Sequence, residues 1–118
     1  MDTFRELEKE ANNWATEKGI FARGNPIAQA EKGIEEAHEL KESVFALENN
    51  LETYVNSKGV KVNTREQIKD DIGDRLVTLL ISAKFYHIDV LECLKGSIDV
   101  ITKRKGKMIN GSFVKDEK

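Results

Sequence analysis

Two short stretches carry the residues best suited to chemistry: Glu35-Glu36-Ala37-His38-Glu39 and Asp70-Asp71-Ile72-Gly73-Asp74. On an α-helix a three-residue step turns the side chain through about 300°, so Glu36 and Glu39 are neighbours on one face, as are Asp71 and Asp74. Two such helices lying side by side gather four carboxylates. Like charges that close resist ionising together unless a cation neutralises them. An all-oxygen ligand set suits a hard ion, Mg²⁺ or Mn²⁺, rather than zinc. A di-iron bundle would need Glu-x-x-His on two helices, which neither stretch supplies. The spacing therefore predicts a divalent-cation site inside a helical bundle, with Glu36, Glu39, Asp71 and Asp74 as its ligands.

Helical geometry places these acids at the edge of the packing face. With Glu36 at zero and about 100° per residue, the apolar stripe of Ala30, Ala37, Leu40, Val44, Leu47 and Leu51 spans about 20–120°. Glu36 borders that stripe, and Glu39 lies about 60° beyond it. With Asp71 at zero, the stripe of Ile68, Ile72, Leu76, Leu79, Leu80 and Ala83 spans about 60–180°; Asp71 is again nearer the edge than Asp74. Glu35 and Asp70 point farther away. His38 is turned from both glutamates and reads as a surface histidine. Lys32, four residues before Glu36, is placed either for a helical ion pair or for a phosphate.

The elements that must hold these residues are marked by caps. Thr3 with Glu6 is a capping box that opens a helix over about 4–18, stopped at Gly19. Trp14 near its end reads as core or groove lining. Residues 19–24 form a loop. Asn25-Pro26 opens the second helix, whose apolar steps run on to Gly59, about 30 residues. Gly33 is a point where it could bend, and a break near Glu48-Asn49-Asn50 is the competing reading. Thr64 with Gln67 opens the third helix, about 65–86, with its stripe facing the core. Its second apolar row, Val77, Ile81 and Phe85, asks for a partner subunit. Asp89 with Glu92 caps a fourth helix, about 90–104, with Leu91, Leu94, Ile98 and Ile101 inward. Asn110-Gly111 between short apolar runs predicts a two-residue hairpin turn. The sum is one domain over 1–118: an all-α, four-helix-bundle-like fold with a short C-terminal hairpin.

Composition narrows the function classes. Nineteen basic against 21 acidic residues leave a net charge of −2, against a general nucleic-acid binder. The single cysteine, Cys93, leaves no intramolecular disulfide to form, and its apolar-periodic setting predicts a reduced, buried thiol. The first ten residues show neither a basic start nor an apolar run, and Leu76 to Ala83 is too short to span a bilayer. These features predict a soluble cytoplasmic domain without a membrane or stable nucleic-acid partner. Lys103, Arg104, Lys105 and Lys107 form the one basic cluster, suited to the carboxyl end of a helix or to a polyphosphate.

At this point a resemblance enters. Gln29-x-x-Lys32-x-x-Glu35-Glu36-x-x-Glu39-Leu40 followed by Asp71-x-x-Asp74 resembles the MazG-like all-α nucleoside triphosphate pyrophosphohydrolases, whose signature is Glu-Glu-x-x-Glu and then Glu-x-x-Asp. Trp14-x-x-Glu-Lys-Gly-Ile and the closing Lys103-Arg-Lys-Gly-Lys-Met-Ile-Asn-Gly-Ser-Phe-Val-Lys resemble small, often phage-borne members, so the likeness covers nearly the whole chain. Two departures stand out: Asp71 occupies the usual Glu position, and the segment 40–70 is longer than usual.

The resemblance implies a Mg²⁺-dependent oligomer, a dimer or tetramer, that cleaves a nucleoside triphosphate between the α and β phosphates. Glu36, Glu39, Asp71 and Asp74 would then be metal ligands, and Glu35 or Glu39 would orient or deprotonate the water. Lys32, Lys103, Arg104 and Lys107 would be phosphate contacts and Trp14 a base-stacking wall. Two other readings remain at this stage: a non-catalytic helical interaction module that keeps the fold, and a nucleic-acid-binding bundle that uses the basic end.

Overall fold

The structure is a computed structural model that describes residues 3–116. In chain order it holds α1 (Phe4–Glu17), α2 (Ile20–Arg23), α3 (Pro26–Glu48), β1 (Thr53–Val55), β2 (Lys61–Asn63) and α4 (Thr64–Phe85). These are followed by α5 (Val90–Ile101), β3 (Gly106–Ile109) and β4 (Ser112–Lys115). The chain is mostly helical with two small antiparallel hairpins, and it divides between His87 and Ile88 into two compact units. Among the described residues no helix is long and apolar enough to cross a membrane.

The helix starts follow the caps. Thr3 Oγ1 accepts from the Glu6 amide at 3.2 Å, Asn25 Oδ1 from Ala28 at 2.8 Å, and Asp89 Oδ1 from Leu91 at 2.9 Å. The start of α4 differs from expectation. Asn63, not Thr64, is its cap, accepting from the Glu66 amide at 3.0 Å, while the Thr64 hydroxyl turns back and donates to Leu51 O at 2.6 Å. The expected loop after Gly19, which has φ +79°, is instead the single-turn helix α2.

The largest correction is the span after α3. The expected helix to Gly59 ends at Glu48, at the alternative break, where Asn50 adopts a left-handed φ of 64°. The chain then forms an antiparallel hairpin with Tyr54 opposite Val62, both half-buried, while the residues on either side of each face solvent. Leu51 and Tyr54 continued the helical spacing by coincidence: here they belong to a turn and to the inner face of a strand.

α3 and α4 pack antiparallel, with Gln29 meeting Thr78, Gly33 meeting Arg75 and Ser43 meeting Asp71. The buried residues of this seam are Gln29, Gly33, Glu36, Ser43 and Ala46 on α3, and Thr64, Asp71, Thr78 and Ile81 on α4. Gln29, Glu36 and Ser43 recur every seven residues, as do Thr64, Asp71 and Thr78, which keeps each set in one line along its helix. The seam is thus built from small and polar side chains. The expected core stripes are only partly covered: Ile68, Leu80 and Ala83 on α4 and Leu40 and Leu47 on α3 are half-buried, whereas Ile72, Leu76 and Leu79 are 47%, 54% and 47% exposed and Val44 is exposed on α3. The second row of α4 is the one the chain covers itself. Ile81 is buried, Val77 is half-buried, and the Phe85 ring meets Phe21 of α2 edge-on with centroids 5.1 Å apart.

Gly33 does not bend α3, which runs through it unbroken. Its bare backbone admits a neighbour: Arg75 Nη1 donates to Gly33 O at 2.6 Å, and a Cβ there would lie 2.7 Å from that nitrogen.

In the second unit, Asp89 caps α5 and the β3–β4 hairpin turns at Asn110 and Gly111, with φ 48° and 83°. Both central residues at positive φ match a tight primed turn. No residue of α5 is buried, so Leu94, Ile98 and Ile101 are exposed rather than inward. Cys93 is a free, exposed cysteine and not the buried thiol expected from its periodic setting.

Candidate functional site

Glu36 and Asp71 lie inside the α3–α4 seam, at 5% and 0% exposure. Glu39 and Asp74, one turn further along each helix, stand toward its open edge, half-buried and exposed. The expected order within each pair is therefore what the fold shows: the first acid is nearer the packing line.

Asp71 is held by neighbours of both helices. The Ser43 hydroxyl donates to its Oδ2 at 2.7 Å and the Gln67 amide to its Oδ1 at 2.8 Å. Such bonds favour a buried carboxylate and fix its orientation. Glu36 is placed differently. Its Oε2 is buried and has no hydrogen-bond partner. Burial first, then the adjoining Glu39 and the charge of Asp74, push the Glu36 carboxyl above the ordinary range, against the pull of Lys32. Asp74 is also raised, by burial and then by Asp70, Asp71 and Glu39, with Lys58 opposing. The four acids of the two helices thus feel one another's charge across the seam.

Two ammonium groups answer that charge within the first unit. Lys32 Nζ lies 3.5 Å from both Glu35 Oε1 and Glu36 Oε1. Burial lowers the Lys32 pKa and Glu35 and Glu36 raise it, with the net effect upward. Lys58, from the turn of the β1–β2 hairpin, lies 3.4 Å from Glu39 Oε1. Tyr54 of the same hairpin also has its hydroxyl pKa raised, by burial and then by Glu42 and Asp71.

Two cavities flank the acids. One of about 470 Å³ runs from Trp14 to Glu36 and Asp74, with Lys32 at its edge and Gln29 and Thr78 in its wall. Val77, Ile81 and Ile20 give it an apolar side. The other, of about 550 Å³, lies over Glu35, Glu39 and Glu42 beneath Ser57 and Lys58. Of the residues expected at the site, Trp14, Lys32, Glu36 and Asp74 line one cavity and Glu35 and Glu39 the other, while Asp71 is buried in the seam and lines neither. Trp14 is half exposed, as a wall residue rather than core. Lys103, Arg104 and Lys107 are exposed and belong to the second unit, at the end of α5 and on β3. Sequence reasoning missed Lys58, Gln29 as a wall residue, and Ser43 and Gln67 as the partners of Asp71. The signal for the last two was their spacing: Gln67 is four residues before Asp71 and Ser43 is seven after Glu36.

An oxygen-only donor set is of the kind that hard divalent cations take, and Glu36 Oε2 is buried without a hydrogen-bond partner. Among the described residues no group of three or more His, Cys, Asp or Glu side chains stands close enough to hold a metal ion.

Fold and site together define a mostly helical chain whose two longest helices bury carboxylates between them. No family model, curated protein or solved structure matches this chain.

Proposed function

We propose that the chain is a Mg²⁺-dependent nucleoside triphosphate pyrophosphohydrolase, cleaving a (deoxy)nucleoside triphosphate to the monophosphate and pyrophosphate, in the manner of the MazG-like enzymes its sequence resembles. Such an activity cleans or regulates a nucleotide pool. The observation that carries the reading is Glu36: a buried carboxylate with an oxygen that has no donor, set among further acids. Lys32 meets only the other oxygen, Oε1, and a buried carboxylate oxygen left without a partner is costly unless a further cation compensates it.

Glu36, Glu39, Asp71 and Asp74 would hold Mg²⁺, or Mn²⁺ in its place. When bound, the ion supplies positive charge against the polyphosphate. Water oxygen attacks the α phosphorus, the bond from that phosphorus to the α–β bridging oxygen breaks, and pyrophosphate leaves with the electron pair. The proton released by water goes to Glu35 or Glu39, the two carboxylates at the open edge. Lys32 meets a phosphate oxygen, and Trp14 offers its indole face to the base within the 470 Å³ cavity.

Self-association to a dimer or tetramer is part of the proposal. Exposed Ile72, Leu76 and Leu79 on α4, with Ile34 and Val44 on α3, form apolar faces that a second copy would cover. The protein acts in the cytoplasm, with a nucleotide as its partner and neither a membrane nor a nucleic acid.

The test is pyrophosphate release from a panel of nucleoside triphosphates with Mg²⁺ or Mn²⁺. The expected result is stoichiometric monophosphate and pyrophosphate from at least one nucleotide, abolished by chelation. A folded protein inert on the whole panel overturns the proposal. A second reading, a non-catalytic helical interaction module, draws on Asp71, whose two oxygens are already engaged by Ser43 and Gln67. Glu39→Ala separates the two, because it abolishes turnover in an enzyme and leaves partner binding intact in a module.

A further inference from the structure

We propose that Lys58, at the turn of the β1–β2 hairpin, positions the substrate polyphosphate, its ammonium exchanging Glu39 for a non-bridging phosphate oxygen when a nucleotide binds. The inference rests on the pyrophosphohydrolase reading and adds a contact that neither acidic stretch supplies.

Lys58 Nζ lies 3.4 Å from Glu39 Oε1, so an ammonium from the hairpin faces the open-edge acid of α3. The 550 Å³ cavity beneath it is walled by Glu31, Glu35, Glu39 and Glu42, and Lys58 is the only lysine or arginine among its described lining residues. A polyanion approaching that wall meets repulsion everywhere except at Lys58.

The hairpin holds this lysine by its backbone and leaves its side chain exposed. Asn56 Oδ1 accepts from the amides of Lys58 and Val60, both at 3.0 Å. Gly59, with φ +79°, closes the turn, and the Ser57 amide donates to Glu42 Oε1 on α3 at 3.2 Å. The Lys58 side chain itself is 63% exposed. The ammonium is thus reachable from solvent, and a flexible point charge suits a phosphate that must arrive and leave. Release of Glu39 also frees a carboxylate for the cation, so the exchange couples the two binding events.

The experiment compares the full chain with Lys58→Met and Lys58→Arg. Three quantities are read: KM and kcat for the preferred nucleotide, binding of a non-hydrolysable α,β-imido triphosphate with Mg²⁺, and binding of Mg²⁺ alone. Lys58→Met is expected to raise KM and weaken the imido analogue on the order of tenfold, as loss of a charged phosphate contact does. It is expected to change kcat less than KM and to leave Mg²⁺ alone bound as tightly or more tightly. Lys58→Arg restores most of the nucleotide affinity.

An unchanged KM in Lys58→Met, with the parent chain active, overturns the role of Lys58 and leaves the enzyme reading standing. Equal weakening of Mg²⁺ and analogue in both variants shows a structural role and overturns it too. A parent chain that neither binds the analogue nor turns over overturns both proposals together.

Discussion

The inner and outer faces of the α3–α4 pair invert the usual distribution of residues. Facing each other, the helices bury Glu36, Asp71, Ser43 and Thr78; facing away, they leave Leu76, Leu79 and Ile72 about half exposed. A single chain built only for its own stability would do the reverse, since apolar burial is the main favourable term and an unpaired buried carboxylate is costly. We propose that each face is completed by something outside the chain, the inner one by a cation and a polyanion and the outer one by a second copy. Small side chains make the inner seam workable, because Gly33 and Ser43 let α4 approach closely enough to bond across it.

Four outcomes would sharpen or break this contrast. The largest is at the inner face: Glu39→Ala is expected to lower pyrophosphate release about 100-fold or more, as loss of a metal-site group does, measured by steady-state turnover. The next is at the outer face. Leu76→Lys is expected to weaken self-association on the order of 30-fold, the scale of a lost interface anchor, and sedimentation would then show a shift toward monomer.

Gly33→Ala comes third. It displaces Arg75, losing a charged hydrogen bond worth about 1.5–3 kcal/mol. The better helix former returns about 1 kcal/mol. A net loss of about 1 kcal/mol in denaturant unfolding is the expected balance.

The smallest runs opposite in sign. Burial and its acidic neighbours raise the folded-state pKa of Glu36, so its contribution to stability is full below the unfolded carboxylate pKa and is lost as pH rises through the folded value. Glu36→Gln should therefore melt higher than the parent at neutral pH without metal, with the difference shrinking as the pH falls. A variant that melts lower at neutral pH would show that the Glu36 charge is already well compensated.

Much of this was readable from local chemistry. Thr3, Asn25-Pro26 and Asp89 mark helix starts because a cap needs only its own next turn, and Asn110-Gly111 marks a hairpin for the same reason. The order of the acids about the seam followed from helical rotation alone. What could not be read was which face of each helix meets which neighbour. Apolar periodicity identifies a face to be buried without saying what buries it, so the α4 stripe reads as core although Ile72, Leu76 and Leu79 stand exposed, and the Val77, Ile81 and Phe85 row reads as a subunit contact although the chain covers it. Leu51 and Tyr54 fell on helical steps while forming a turn and a strand, which hid the hairpin and with it Lys58. Cys93 was misplaced for the same reason as the α4 stripe, since α5 has periodicity without a covered face.

The central claim is that the buried carboxylates between α3 and α4 receive a divalent ion, and thermal melting across a Mg²⁺ titration tests it most directly. The account predicts a saturable rise in melting temperature for the parent chain and a flat response for Glu36→Gln. A parent chain whose melting temperature does not move with Mg²⁺, or a Glu36→Gln variant that rises in parallel with it, would contradict the account.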